Sequence, residues 1–121
     1  MSNDVSSEVI NLAIKLADKS TMRYKMSAVI FNKKGRIINT GYNRWLLIGH
    51  HDVVPHRTSI HAEADAIIGC SLRDLYNSSI FVFRRNFRNA KPCHNCTKMI
   101  RNAGITQIYY SNDGIIKKFN N

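Results

Sequence analysis

The chain has 121 residues, 44% of them hydrophobic and 21% charged, which is the length of one domain and excludes a disordered or fibrous class. Eighteen Lys and Arg against eight Asp and Glu leave a net charge of +10, a balance that favours anionic partners: a small-molecule nucleotide, nucleic acid or an anionic surface. The start, Met1-Ser2-Asn3-Asp4-Val5, lacks the basic and apolar runs of a secretory signal, and no apolar stretch nears the roughly 18 residues of a membrane span; the expectation is a soluble, cytoplasmic protein without a membrane partner.

Val5, Val9, Leu12, Ala13 and Leu16 fall on one helical face and predict a first helix over Val5–Ala17, capped by Asp4. Met26–Phe31 and Arg36–Thr40 read as strands of a hairpin joined by Asn32-Lys33-Lys34-Gly35, a turn-rich run. Gly41–Ser59 shows no clear period and reads as a long loop, which inside a small domain is usually functional. A second helix is expected over His61–Cys70 with Ser59 as its cap. Ile80–Arg84 reads as a strand buried on both faces. Cys93–Asn102 is expected to be a helix stopped by Gly104. Thr106–Ser111 is a last strand, and Asn112-Asp113-Gly114 turns into a short tail. The order predicts a three-layer α/β/α domain over residues 1–121, its central mixed sheet combining an N-terminal hairpin with parallel strands.

Chemistry concentrates in His61-Ala62-Glu63 and Pro92-Cys93-His94-Asn95-Cys96. Cys93 and Cys96 stand three apart at a helix start, so both thiols share one face, and the helix N-terminus favours their ionised form. Two thiolates and the His61 imidazole suit Zn²⁺ and leave a fourth position for water, whose ionisation near neutral pH supplies a nucleophile. Glu63, two residues past His61, would sit beside that water as a proton shuttle rather than a ligand, work that contributes roughly 10²–10⁴-fold. Attack at cytosine C4 or adenine C6 needs this pairing. Cys-x-x-Cys alone also fits a redox pair or a structural zinc site, with His94 as a fourth ligand; the odd count of three cysteines favours metal or thiol chemistry over disulfides.

These motifs resemble those of the zinc-dependent cytidine and deoxycytidylate deaminase superfamily. The likeness runs from Met26 to about Ser111, through Ser27-Ala28-Val29-Ile30, Asn39-Thr40-Gly41-Tyr42-Asn43, His61-Ala62-Glu63-Ala64-Asp65-Ala66-Ile67 and Lys91-Pro92-Cys93-His94-Asn95-Cys96. Ala103-Gly104-Ile105 and Ile108-Tyr109-Tyr110 look most like the deoxycytidylate branch. The resemblance implies His61, Cys93 and Cys96 as zinc ligands, Glu63 as proton shuttle, and Asn43 and Ala62 as substrate contacts. It implies hydrolytic conversion of cytosine to uracil in a free nucleotide such as dCMP, and a homo-oligomer. The tRNA adenosine deaminases share the two motifs, so a base within single-stranded DNA or RNA is the alternative substrate, and a non-catalytic zinc-binding module a third. Arg44 stands where effector-controlled deoxycytidylate deaminases commonly have glycine, an argument against control by nucleotide triphosphates. The chain also ends before the C-terminal helices that wall the pocket in many relatives.

Arg84, Arg85, Arg88 and Lys91 lead into Pro92, and their nearness to the cysteines assigns Arg85 and Arg88 to a substrate phosphate. His50, His51, Asp52 and His56 form a second candidate metal cluster. Cys70 reads as a small buried apolar residue, and Tyr42 and Trp45 as either core or pocket wall.

Overall fold

The computed structural model describes residues 4–48 and 56–119. The first helix, α1, spans Ser7–Ala17, with Val9, Ala13, Leu16 and Ala17 buried. It starts later than Asp4 because Ser6 is the cap, its Oγ accepting the Val9 N–H at 3.2 Å. Strand β1 (Met26–Phe31) forms the expected hairpin with β2 (Ile37–Tyr42). The supposed loop over Gly41–Ser59 contains a second hairpin, β3 (Arg44–Ile48) and β4 (His56–Ile60), with Trp45 opposite Ser59. Its period is hidden because this two-stranded ribbon stands apart from the main sheet and leaves Trp45 and Ser59 exposed. Leu46 and Ile60 are only half-buried, so no strong apolar alternation marks the ribbon in the sequence.

Helix α2 is shorter than expected, Ala62–Ile67. It is headed by His61 rather than Ser59, and the left-handed Gly69 (φ +87°) follows it. A four-residue helix, α3 (Leu72–Leu75), begins where Ser71 Oγ accepts the Asp74 N–H. Then come β5 (Ser79–Arg84), a 3₁₀ turn at Arg85–Phe87, α4 (His94–Asn102), β6 (Gln107–Asn112) and β7 (Ile115–Lys118). The short tail is thus a strand: Asp113 (φ +49°) and Gly114 (φ +80°) make the tight turn that folds it back along β6.

The main sheet runs β2-β1-β5-β6-β7. Only β5 and β6 are parallel, joined across α4; the other neighbours are antiparallel. Successive side chains on a strand point to opposite faces, and the core divides accordingly. Val29, Phe31, Phe81, Phe83 and Tyr109 pack with α1. Ala28, Ile30, Ile80, Val82, Ile108 and Tyr110 pack against Ala62, Ala66, Leu75 and Ile100 from α2, α3 and α4. The result is the expected three-layer α/β/α arrangement around a mixed sheet. No helix among the described residues is long and apolar enough to cross a membrane.

Candidate metal centre and active site

Two helix starts converge on one face of the sheet. Helix α2 lies so close to β2 that a Cβ on Gly41 would fall 2.4 Å from Ala66 N and 2.6 Å from the Ala62 carbonyl oxygen. Only glycine admits that approach. Polar ties hold the same contact: Asn39 Nδ2 donates to the Ala66 carbonyl at 2.8 Å, the Tyr42 N–H donates to Asp65 Oδ2 at 3.1 Å, and Arg44 pairs with Asp65 at 2.6 Å. Arg44 is therefore committed to anchoring α2. From the other side, Cys93 is the N-cap of α4, its thiolate-forming sulfur accepting from the Cys96 N–H at 3.5 Å.

These constraints bring His61, Cys93 and Cys96 together, with their donor atoms all within 4.8 Å of one another and His61 Nδ1 3.2 Å from Cys96 Sγ. A tetrahedral zinc with bonds of about 2.1–2.3 Å separates its ligand atoms by roughly 3.5–3.8 Å, so small side-chain adjustments suffice. The donor set, two sulfurs and one nitrogen, suits that ion. His94 is not part of the cluster, which removes the four-ligand structural site among the described residues.

Glu63 is 4% exposed. Burial pushes its carboxyl above the ordinary range, against the opposing pull of its own backbone N–H, the nearby His61 and a hydrogen bond with Cys96. Burial also pushes the Cys96 thiol up to about 12, with the Glu63 charge adding to it. A buried carboxyl and a buried thiol that both resist ionisation are the surroundings a divalent cation relieves. The residues present fit a bound zinc.

His61, Ala62, Glu63, Cys93 and Cys96 line a cavity of about 370 Å³, together with Asn43, Met22, Arg23, Tyr24, Met26, Trp45, Ser59, Ile60 and Lys91. Asn43 is 8% exposed. Its Oδ1 accepts the Met26 N–H at 2.9 Å and its Nδ2 donates to the Tyr24 carbonyl at 2.5 Å, so it holds the start of β1 against the cavity wall.

The expected phosphate readers are placed differently. Arg85 follows Arg84 across the pleat and falls on the α1 face, where it pairs with Asp18 at 3.7 Å. Arg88 lies beyond the 3₁₀ turn, its carbonyl accepting from Ser111 Oγ at 2.8 Å. Neither lines the cavity. The cations at the mouth are Arg23 and Lys91, with Arg84 beside them, its guanidinium 4.5 Å from the Tyr24 ring centre. Arg23 was missed because it lies in the irregular stretch before β1; the adjacent Arg23-Tyr24 pair was the available signal. His50, His51 and Asp52, considered as a second metal site, lie outside the described residues, as does the side chain of His56. Cys70 packs against the core, as does Tyr42 on the opposite face; Trp45 lines the cavity.

A mixed α/β/α sheet that aims a His/Cys/Cys donor set and a buried carboxyl into one cavity defines a zinc-site protein of the deaminase fold. The family model for the cytidine and deoxycytidylate deaminase zinc-binding region matches residues 3–112, and the chain belongs to that family. It is 33% identical over 52 residues to the deoxycytidylate deaminase of Mycobacterium phage D29, covering 43% of this chain and 36% of that protein. To the human deoxycytidylate deaminase it is 28% identical over 101 residues, 74% of this chain and 53% of that one. The chain thus spans about half or less of these curated relatives. The crystal structure of the dCMP deaminase from cyanophage S-TIM5 in apo form superposes with a TM-score of 0.56 at 27% identity, covering 92% of this chain and 90% of that one.

Proposed function

We propose that this protein is a hydrolytic deaminase of a free cytidine nucleotide, with deoxycytidylate as the substrate. The observation that carries the reading is the nearly inaccessible carboxyl of Glu63 beside three convergent metal donors at a cavity floor. His61, Cys93 and Cys96 would hold zinc, which when bound lets a water attack at neutral pH. Glu63 takes one proton from that water and passes it to the ring N3, then takes the second from the new C4 hydroxyl and gives it to the departing amino group. The C4–N bond breaks, a C4–O bond replaces it, and ammonia and the uracil nucleotide leave. Burial raises the proton affinity of Glu63 above the ordinary carboxylate range, the direction that favours a group which must return the proton it accepts.

Ala62 contributes its first-turn N–H, one of the donors a helix start leaves without an intrahelical acceptor. Asn43 contributes chiefly by fixing the wall. Arg23 and Lys91, rather than Arg85 and Arg88, face the substrate phosphate. The preference for deoxycytidylate is supported by the names of the relatives. Ile68 and Tyr76, which follow α2 and α3, and Leu72 at the start of α3 are 64%, 75% and 70% exposed, apolar surface that supports a homo-oligomer. The test is ammonia release from dCMP and from deoxycytidine. The expected result is a kcat/KM at least tenfold higher for dCMP, since a charged hydrogen bond contributes roughly 1.5–3 kcal/mol. Equal values on the two substrates would remove the phosphate from the reading.

A further inference from the structure

The region that matches the family model ends at residue 112, and the chain runs on through β7 to Phe119. The ring of Phe119 is firmly set. Its backbone N–H donates to the Ile108 carbonyl at 2.7 Å, and the ring meets that of Tyr110 edge-on with centres 6.3 Å apart. It is half-buried and packs against the core on the α2–α4 face.

Lys91 Nζ lies 5.2 Å from the centre of this ring, within the roughly 6 Å over which an aromatic face attracts a cation. The backbone around Lys91 is tied as well. Its N–H donates to Asn89 Oδ1 at 3.0 Å, and the Ala90 N–H donates to the Ser111 carbonyl at 2.9 Å. Lys91 is exposed and still lines the cavity. An exposed lysine otherwise spreads over many rotamers, and fixing it on binding costs entropy. A ring contact made before the substrate arrives removes part of that cost. It also leaves N–H donors of the ammonium free for an anion. Among the described residues no carboxylate pairs with Lys91. The other cation on the ring, Arg101 at 5.8 Å, adds like charge, and its buried Nε has no hydrogen-bond partner. The partner missing from this arrangement is an anion in the cavity.

We infer that Phe119 is a positioning residue: it holds the Lys91 ammonium at the cavity mouth for the substrate phosphate, and so sets the preference for nucleotide over nucleoside. The inference rests on the proposed deaminase reading, in which Lys91 faces that phosphate. It adds that the preference depends on a residue outside the region that matches the family.

Trp45, the only tryptophan in the chain, lines the cavity, so its fluorescence follows binding of the product dUMP without turnover. On zinc-loaded protein, Kd is measured for dUMP and deoxyuridine, and kcat and KM for dCMP and deoxycytidine. Phe119→Leu is expected to raise Kd for dUMP and KM for dCMP about two- to fivefold, the size of an exposed cation–ring contact. Its kcat and its values for both nucleosides should not change. Replacing Phe119 by trifluorophenylalanine keeps the ring and its packing but withdraws negative charge from its face. It should give the same selective loss, and Phe119→Tyr should give none. In a Lys91→Ala background, itself about tenfold weaker for dUMP, Phe119→Leu should change nothing further. Equal weakening of nucleotide and nucleoside overturns the inference. So does a trifluorophenylalanine variant that matches the parent, or a Phe119 effect undiminished without Lys91; each leaves conversion of dCMP by the parent intact. Phe119-dependent binding of dUMP with no ammonia from dCMP overturns the deaminase reading and keeps the role of Phe119.

Discussion

Arg84 and Arg85 are neighbours in sequence and work on opposite sides of the protein. Arg84 stacks on Tyr24 at the mouth of the cavity, while Arg85 reaches Asp18 at the end of α1. The same division runs through the whole sheet. The α1 face is a plain core of Phe31, Phe81, Phe83 and Tyr109; the α2–α4 face is built around small residues, Ala28, Ala62 and Ala66, with Gly41 beneath α2. Small residues let helix backbones approach the strands, and that approach sets where the helix starts deliver their ligands. Both faces bury large side chains, and the α2–α4 face adds small residues where the helix starts must approach the strands.

The largest expected effect that separates the faces is on Glu63. Glu63→Gln should lower turnover by roughly 10²–10⁴-fold while zinc content and fold are retained, measured by elemental analysis and circular dichroism. Phe81→Ala, on the other face, should cost about 3–5 kcal/mol of stability, read from denaturant unfolding. Below its unfolding transition, its turnover should stay near that of the parent. A loss of turnover at constant fold would break the division between the faces. Gly41→Ala should act on both: the added methyl meets backbone rather than a flexible side chain, and overpacking costs typically 1–3 kcal/mol, with loss of zinc affinity as α2 is displaced.

The division was only half legible in the sequence. The two motifs were readable because His61 with Glu63, and Cys93 with Cys96, each need only short-range spacing at a helix start. The sheet strands were readable from apolar runs, since β1, β5 and β6 are buried nearly throughout. The β3–β4 ribbon was not, because its pairing joins residues on either side of a seven-residue connection, and its described apolar residues Leu46 and Ile60 are only half-buried. The facing of Arg84 and Arg85 was likewise hidden. Nearness to Cys93 along the chain counted for less than the side of the sheet on which each side chain leaves the end of β5: Arg84 stacks on Tyr24 beside the cavity and Arg85 pairs with Asp18.

Smaller effects sharpen the comparison. Arg23→Ala should raise KM for dCMP about tenfold, while Arg85→Ala, which removes only an exposed ion pair outside the cavity, should leave it unchanged. A pH series on metal-free protein tests the burial of Glu63. Its carboxyl is raised in the folded state, so the folded protein binds the extra proton and stability declines as pH rises from the ordinary carboxylate range through the raised value. Glu63→Gln removes that decline: the variant should be the more stable of the two at neutral pH, with the gap closing in acid. Thermal melts at pH 4 and pH 7 measure it. A constant gap would mean that the carboxyl is solvated.

The central claim is that one face of this sheet is a zinc-dependent deaminase site. It is tested most directly by stripping the protein with chelator, titrating zinc back and following ammonia release from dCMP. Activity should vanish on stripping, return in proportion to zinc, and saturate at about one ion per chain; Cys96→Ala should neither retain the ion nor recover. Full turnover in zinc-free protein, or undiminished zinc binding by Cys96→Ala, would contradict the account.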